Sequence, residues 1–412
     1  MINFRLLKAS DLWLWLAASG LVLFGFFAIF SSSFSLQMKF NGDPLLFVKR
    51  QFISFIVGGL GLIIFAYLDY KRLKKLAPYF YIVMLIFLGL VLFGGSKALG
   101  AQRWFQIGPF SFQPSEVSKI FLVIALAAFF SVRTRLKSIK DVGELLAMVG
   151  LPFLLIFKQP DLGTALVLGV ILIGMLAVSG ASPKLLILLT SPIISIMLRP
   201  FIYLWLIYLV IVALILFLTN ASWLDWFLIL GLNILVGIAM PIIWSMLKAY
   251  QKQRILAFLN PAADPFGAGY HTLQSKIAIG SGGFWGKGFL HGTQTQLQFI
   301  PEQHSDFIFS VIGEEFGFLG GVAVLGLFGL FVWRALTIAS EVPDLFGAFL
   351  ASGIAVMTAF HMAANIGMTV GLLPVVGMPL PFVSFGGSSL LMNMISLGIL
   401  QSLSMRRQKL IF

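Results

Sequence analysis

"QFIPEQHSDFIFSVIGEEFGFLGG", residues 298–321, decides what kind of fold this is. From Phe307 onward it is apolar enough to enter a bilayer, yet Asp306 stands at its threshold and Glu314 and Glu315 lie inside it. Glu302 and His304 come just before. A charge at the centre of a span costs about 2.5–3.5 kcal/mol on insertion scales, and such residues usually face a pathway or a site. Is the stretch a span at all, and if so, what are the carboxylates for?

The rest of the chain answers the first question. Of its 412 residues, 59% are hydrophobic and 10% charged, whereas a soluble domain is about 25% charged. Apolar runs long enough for a bilayer recur throughout, and about 20 residues cross the hydrocarbon as a helix. Backbone groups in lipid must pair internally, so such runs are helices, and the alternating strands of a barrel are absent. The expectation is an all-α, polytopic integral membrane protein with a single membrane domain. The expected spans, about twelve, are 12–32, 52–68, 78–94, 115–131, 142–157, 162–179, 183–198, 201–219, 223–248, 307–333, 345–372 and 383–403. The run after Arg5, Lys8 and Asp11 is long for a signal peptide and reads as an uncleaved first span.

A formal charge of +13 does not mean nucleic acid, because the basic residues sit in short clusters between apolar runs. Lys71, Arg72, Lys74 and Lys75 form one cluster, Arg133, Arg135, Lys137 and Lys140 a second, and Arg406, Arg407 and Lys409 a third. All three share one side if both termini are cytoplasmic. Segments 33–51, 95–114, 158–161 and 249–306 then lie outside. The last is too rich in aromatic and aliphatic residues to be disordered, so it reads as a folded, partly re-entrant external lid. The chain has no cysteine, which removes disulfides, thiolate nucleophiles and Cys-based metal sites. No internal repeat is evident, mild evidence against an inverted-repeat transporter.

Four stretches carry candidate chemistry. In "QPSEVSKIF", Pro114 and Ser115 suit a helix start, with Ser115 able to cap free amides. Glu116 and Lys119, three apart, share a helix face; they are either a self-neutralising pair or part of a site. "KQPDLGTA" puts Lys158 and Asp161 in a short turn that is ordinary by itself. Asp306 reads equally as a helix cap worth about 1 kcal/mol or as a general base at a water–lipid boundary. A cap leaves Glu314 and Glu315 unexplained, since they lie roughly 12–14 Å further along a helix. "GMPLPFVSFGGSSL" at 377–390 reads as a tight turn between the last spans. The run "GSGG" at 280–283 is a weak candidate phosphate nest, lacking the lysine and spacing of a P-loop.

Arg103, Lys119, Lys158, Lys276 and Lys287 are cations on the expected outer side, and Asp306, Asp161 and Glu116 are candidate carboxylates. Cations suit a diphosphate and a carboxylate base suits an acceptor hydroxyl. A lipid-diphosphate sugar donor fits both, although other anions fit the cations equally.

The order of "GAQRWFQIGPFSFQPSEVSK", "QPDLGTA", "DPFGAGYHTLQSKIAIGSGG", "PEQHSDFIFSVIGEEFG" and "GLLPVVGMPLPFVSFGGSS" resembles the SEDS family of shape, elongation, division and sporulation proteins. The connector "GSGGFWGKGFLHGTQTQLQFIPEQHSDF" looks more like the elongation branch than the division branch. The resemblance implies a peptidoglycan glycosyltransferase that polymerises lipid II on the outer face of the bacterial cytoplasmic membrane. It implies a class B penicillin-binding protein as transpeptidase partner, alongside the proteins of the rod-shape complex. The family's essential external aspartate matches Asp306, and its polar positions match Glu116, Lys119, Lys158 and Asp161. On this reading Asp306 is the base, while Lys119 and Arg103 stabilise the departing undecaprenyl diphosphate. Glu116 orients Lys119, Asp161 and Lys158 line the same cavity, and His304 and Gln303 complete the substrate-binding set. Glu314 and Glu315 are left as cavity-lining or structural. A divalent cation, magnesium or manganese, could share the electrostatic role, though no metal-ligand spacing identifies it. The family usually has about ten spans, so 183–219 reads as an added hairpin with its outer turn at Arg199 and Pro200. A flippase for lipid-linked precursors, or a scaffold that recruits a synthase, remain the competing classes.

Overall fold

The computed structural model describes residues 9–98, 101–107, 110–133, 139–247, 252–253, 256, 258 and 269–407. Residues 249–251, 254–255, 257 and 259–268 of the expected external segment, together with Arg5, Lys8, Arg135, Lys137 and Lys409, therefore lie outside the described residues. Helices α1 (Leu12–Lys39), α2 (Leu46–Tyr67) and α3 (Tyr70–Gly94) come first. Three short antiparallel strands follow, β1 (Ser96–Ala98), β2 (Ala101–Ile107) and β3 (Phe110–Phe112), in the order β1-β2-β3. Then come α4 (Pro114–Val132), α5 (Ile139–Lys158), α6 (Leu162–Val178), α7 (Pro183–Leu198), α8 (Ile202–Leu218) and α9 (Trp223–Met246). After them lie α10 (Tyr270–Gly282), α11 (Thr293–Gln296), α12 (Ile308–Glu315), α13 (Gly317–Glu341), α14 (Leu345–Thr369) and α15 (Gly387–Arg406).

The protein is a multi-pass helical membrane protein. Helices occupy every expected segment, but among the described residues eight are long and apolar enough to cross a bilayer, while α6, α7 and α8 are shorter apolar helices. Their starts follow local chemistry. Asp11 accepts from the Leu14 amide, Asp69 from that of Lys71, and Asp344 from that of Gly347, each meeting an amide that the first turn leaves unpaired.

The expected span 307–333 is a correction. It is two helices, broken at Gly317, whose φ of 64° takes it out of the right-handed helical region and suits glycine. A break between two helices exposes carbonyls at the end of α12 and amides at the start of α13, and these need partners. The segment after α10 does this. Lys287 and Gly288 amides donate to the Glu314 and Glu315 carbonyls at 3.0 Å each, and the Phe318 amide donates to the Gly283 carbonyl at 2.9 Å. Gly286 (φ 83°) passes so close that an added Cβ would lie 2.1 Å from the Glu315 carbonyl oxygen.

By its contacts the chain divides into two compact units, residues 1–175 with 257–412, and residues 176–256. The second contains α7, α8 and α9, packed around Val212, Leu216 and Ile229. Its polar side chains close on one another. The Asn233 amide nitrogen donates to Ser191 Oγ (2.8 Å) and to the Ile229 carbonyl (2.7 Å). Trp205 Nε1 donates to Ser195 Oγ (2.7 Å), which donates to the Asn233 carbonyl (2.9 Å).

Candidate functional site

The first unit's polar residues gather around the segment between α14 and α15. Two prolines in it, Pro379 and Pro381, cannot continue a helix, so its backbone polar groups look outward for partners. The Ser384 hydroxyl donates to the Ser305 carbonyl at 2.6 Å and accepts from the Leu380 amide at 2.8 Å. Gln51 of α2 donates to the Ser384 carbonyl at 3.1 Å and accepts from the Gly386 amide at 3.2 Å. Ser388 accepts from the Gln113 amide at 3.1 Å. This segment thus joins the stretch ahead of α12, the start of α4, and α2.

Asp306 enters from the first of these. The N-cap of α12 is Phe307, with no side-chain capping bond. Asp306 is half-buried. Its backbone carbonyl accepts from Asn365 Nδ2 at 2.9 Å, and the same nitrogen donates to the Met378 carbonyl at 2.7 Å. Its carboxylate lies beside Gly377, which is exposed and carries no side chain: an added Cβ there would come within 3.2 Å of Asp306 Oδ2. Gly163, opening α6, packs against the neighbouring Met378.

Glu116 and Lys119 are buried on α4, with Nζ 2.7 Å from Glu116 Oε2. A third group, not anticipated from the sequence, completes the cluster: His361 Nε2 lies 3.0 Å from Lys119 Nζ. His361 Nδ1 faces the Met357 carbonyl at 2.8 Å. A carbonyl can only accept, so Nδ1 carries the proton and Nε2 is left as an acceptor for the ammonium.

Asp161 is buried and saturated with donors. It accepts from Gln113 Nε2 (3.1 Å), Ser115 Oγ (3.0 Å), the Thr164 amide (3.2 Å) and Thr164 Oγ1 (2.9 Å). It therefore fastens the start of α6 to the start of α4, and the Ser115 hydroxyl is turned to this bond rather than to the amides of its own helix, whose N-cap is Gln113. Arg103 is similarly committed, donating to the carbonyls of Gln159 (2.9 Å) and Pro160. Lys158 is exposed. Gln303 is buried and donates to the carbonyls of Ser32 (2.7 Å) and Thr295 (3.0 Å), which makes it a brace for the connector. His304 lies between Phe47 and Phe385, both rings tilted to its own, with centroids 4.7 and 5.4 Å away. Burial there lowers its pKa below the ordinary imidazole value, against the opposing pull of Glu302.

Glu314 and Glu315 also find their partners. Glu314 is buried and accepts from Lys287 Nζ (2.8 Å), the Gln294 and Thr295 amides (2.9 Å each) and Thr295 Oγ1 (2.8 Å). Ser31 donates to Glu315. These carboxylates lock the connector onto α12 and α1, which removes Lys287 from the free cations. Among the described residues no three His, Asp or Glu side chains form a group able to hold a metal ion.

The signal for His361 and Asn365 was present but quiet: two polar residues four apart on one face of an apolar helix. Their partners are remote in sequence, at Lys119 and at the Asp306 and Met378 carbonyls, so neither residue alone announces a role.

The family model FTSW_RODA_SPOVE, described as cell cycle protein, matches residues 11–210 and 191–409. The peptidoglycan glycosyltransferase MrdB of Escherichia coli (strain K12) is 38% identical over 371 residues, covering 90% of this chain and 89% of its own. Among solved structures, a chain of a peptidoglycan synthase complex that coordinates polymerization and crosslinking superposes with a TM-score of 0.73 at 29% identity. That match covers 97% of this chain and 98% of the other. The rod shape determining protein RodA of Thermus thermophilus gives 0.64 at 27% identity, with coverage of 97% and 98%.

Proposed function

The chain belongs to the FTSW_RODA_SPOVE family of cell cycle proteins, and we propose on that premise how its site works. It is a peptidoglycan glycosyltransferase of cell-wall elongation, of the RodA kind. Lipid II serves as donor and acceptor. Asp306 accepts the proton of the acceptor's 4-hydroxyl as that oxygen bonds to the donor's anomeric carbon. The bond to undecaprenyl diphosphate breaks, and its electron pair departs with the diphosphate. Lys119, held by Glu116 and His361, stabilises the departing charge, commonly the largest catalytic contribution. Arg103 acts indirectly, since its guanidinium is spent on the turn before α6.

The observation that carries this reading is the position of Asp306, whose carboxylate borders the exposed Gly377 while its main chain is clamped by Asn365. Asp161 ties the start of α6 to the start of α4, Glu314 holds the connector, and Glu116 is paired with Lys119. Its position fits an outer face of the bacterial inner membrane with both termini cytoplasmic. A class B penicillin-binding protein crosslinks the product beside it, within the rod-shape complex. Residues 183–219 form a hairpin added to the family's core.

The test is incubation of purified protein, with and without its penicillin-binding partner, with labelled lipid II, followed by gel separation of glycan. General-base removal by Asp306→Asn lowers synthesis by at least about 100-fold with membrane insertion intact. Normal polymer from that variant overturns the mechanism. Lipid translocation in proteoliposomes without any polymer favours the flippase.

A further inference from the structure

His361 and Asn365 stand one turn apart on α14, about 6 Å along its axis. One addresses the amine of Lys119, the other the main chain that carries Asp306. Both are buried in a helix long and apolar enough to span a membrane. Helix packing does not require them. Asn365 even buries its Oδ1 without a hydrogen-bond donor among the described residues, a cost of about 1–3 kcal/mol that a leucine would avoid. What the asparagine supplies is a clamp: its nitrogen draws the Asp306 and Met378 carbonyls to one point. What the histidine supplies is direction. With its Nδ1 proton fixed on Met357, its Nε2 lone pair and Glu116 Oε2 take two of the three ammonium protons of Lys119 and set where the third points.

We propose that His361 and Asn365 are positioning residues that use one turn of α14 as a rigid spacer between Lys119 and Asp306. The inference rests on the reading of Asp306 as base and Lys119 as leaving-group cation, and deepens it. Bond formation at the acceptor oxygen and charge release on the diphosphate occur in one step, so base and cation must be correctly separated together. A misplacement of about 1 Å costs on the order of 100-fold in rate. The helix delivers that separation because its axial rise is fixed, which two mobile loops cannot match.

The test uses the full-length protein with its penicillin-binding partner, labelled lipid II and steady-state rates, with folding checked by elution in detergent. His361→Leu and Asn365→Leu are each expected to lower kcat by about 30-fold or more, with KM for lipid II within about threefold. His361→Gln, whose amide oxygen can replace Nε2 as acceptor, recovers most of the loss. Residues acting as a unit are strongly non-additive, so the double leucine variant falls no further than about threefold below the worse single one. If His361→Leu does not fold, His361→Asn against His361→Gln gives the same contrast, the shorter amide being unable to reach Nζ. Multiplicative losses, an equal loss with His361→Gln, or unchanged kcat in the leucine variants overturns the proposal. Activity surviving in Asp306→Asn instead removes the premise. An inactive Asp306→Asn beside a normal Asn365→Leu removes the spacer alone.

Discussion

Among the described residues, two fully buried asparagines sit in apolar helices, and they do opposite things. Asn233 on α9 gives its nitrogen to Ser191 and to its own helix, while Tyr208 donates to its oxygen at 3.4 Å. Every partner lies in the same three-helix unit. Asn365 on α14 gives its nitrogen to two carbonyls outside its helix, one of them belonging to Asp306, and leaves its oxygen unmatched. A polar residue in a membrane helix is thus not a functional signal by itself. The distinction is whether its hydrogen bonds close within the bundle or reach out to irregular backbone and remain incomplete.

The sharpest way to break this contrast is at the charged end of the site. Removing Lys119 alone leaves Glu116 as an uncompensated buried charge and confounds activity with folding. The paired change Glu116→Gln with Lys119→Met removes both charges together. It should leave the protein folded and cut glycan synthesis by more than about 100-fold, as measured on labelled lipid II. Retained synthesis would make the pair a packing device like the Asn233 network.

Glu314 is intermediate, a saturated carboxylate that holds the connector leading to Asp306. Glu314→Gln exchanges a charged acceptor for an amide facing two backbone donors, and should lower stability by about 2 kcal/mol and activity by about tenfold. The two losses should move together across temperature. A loss of rate with unchanged thermal stability would shift Glu314 into the site itself.

The smallest effect belongs to Asn233→Leu. Hydrogen bonds between membrane helices average about 0.6 kcal/mol, so stability should change by about 1 kcal/mol or less and kcat by less than about twofold. An activity loss matching that of Asn365→Leu would erase the distinction between the two units.

The sequence made some of this plain for physical reasons. Glu116 and Lys119 were legible as neighbours because three residues on a helix put side chains on one face. Asp306 was legible only as an alternative, cap or base, because an aspartate at the start of an apolar run suits both. The start of α4 misled, since Ser115 beside Pro114 looks like a cap, and only the fold brings Asp161 to its hydroxyl. Arg103 looked like a free cation for the same reason, its carbonyl partners lying more than fifty residues away. The break at Gly317 was hidden because glycine is tolerated in membrane helices. The backbone that makes the break affordable arrives from residues 283–288, which no local pattern connects to it.

That junction has a practical reach. Surface connectors ordinarily accept tags, insertions and grafts. The stretch between Gly283 and Gly288 will not, because its peptide groups complete the helical pair α12 and α13 from outside. A methyl group on Gly286 or Gly317 would meet backbone at 2.1 or 2.3 Å, so even the mildest substitution there pries apart two helices rather than decorating a loop.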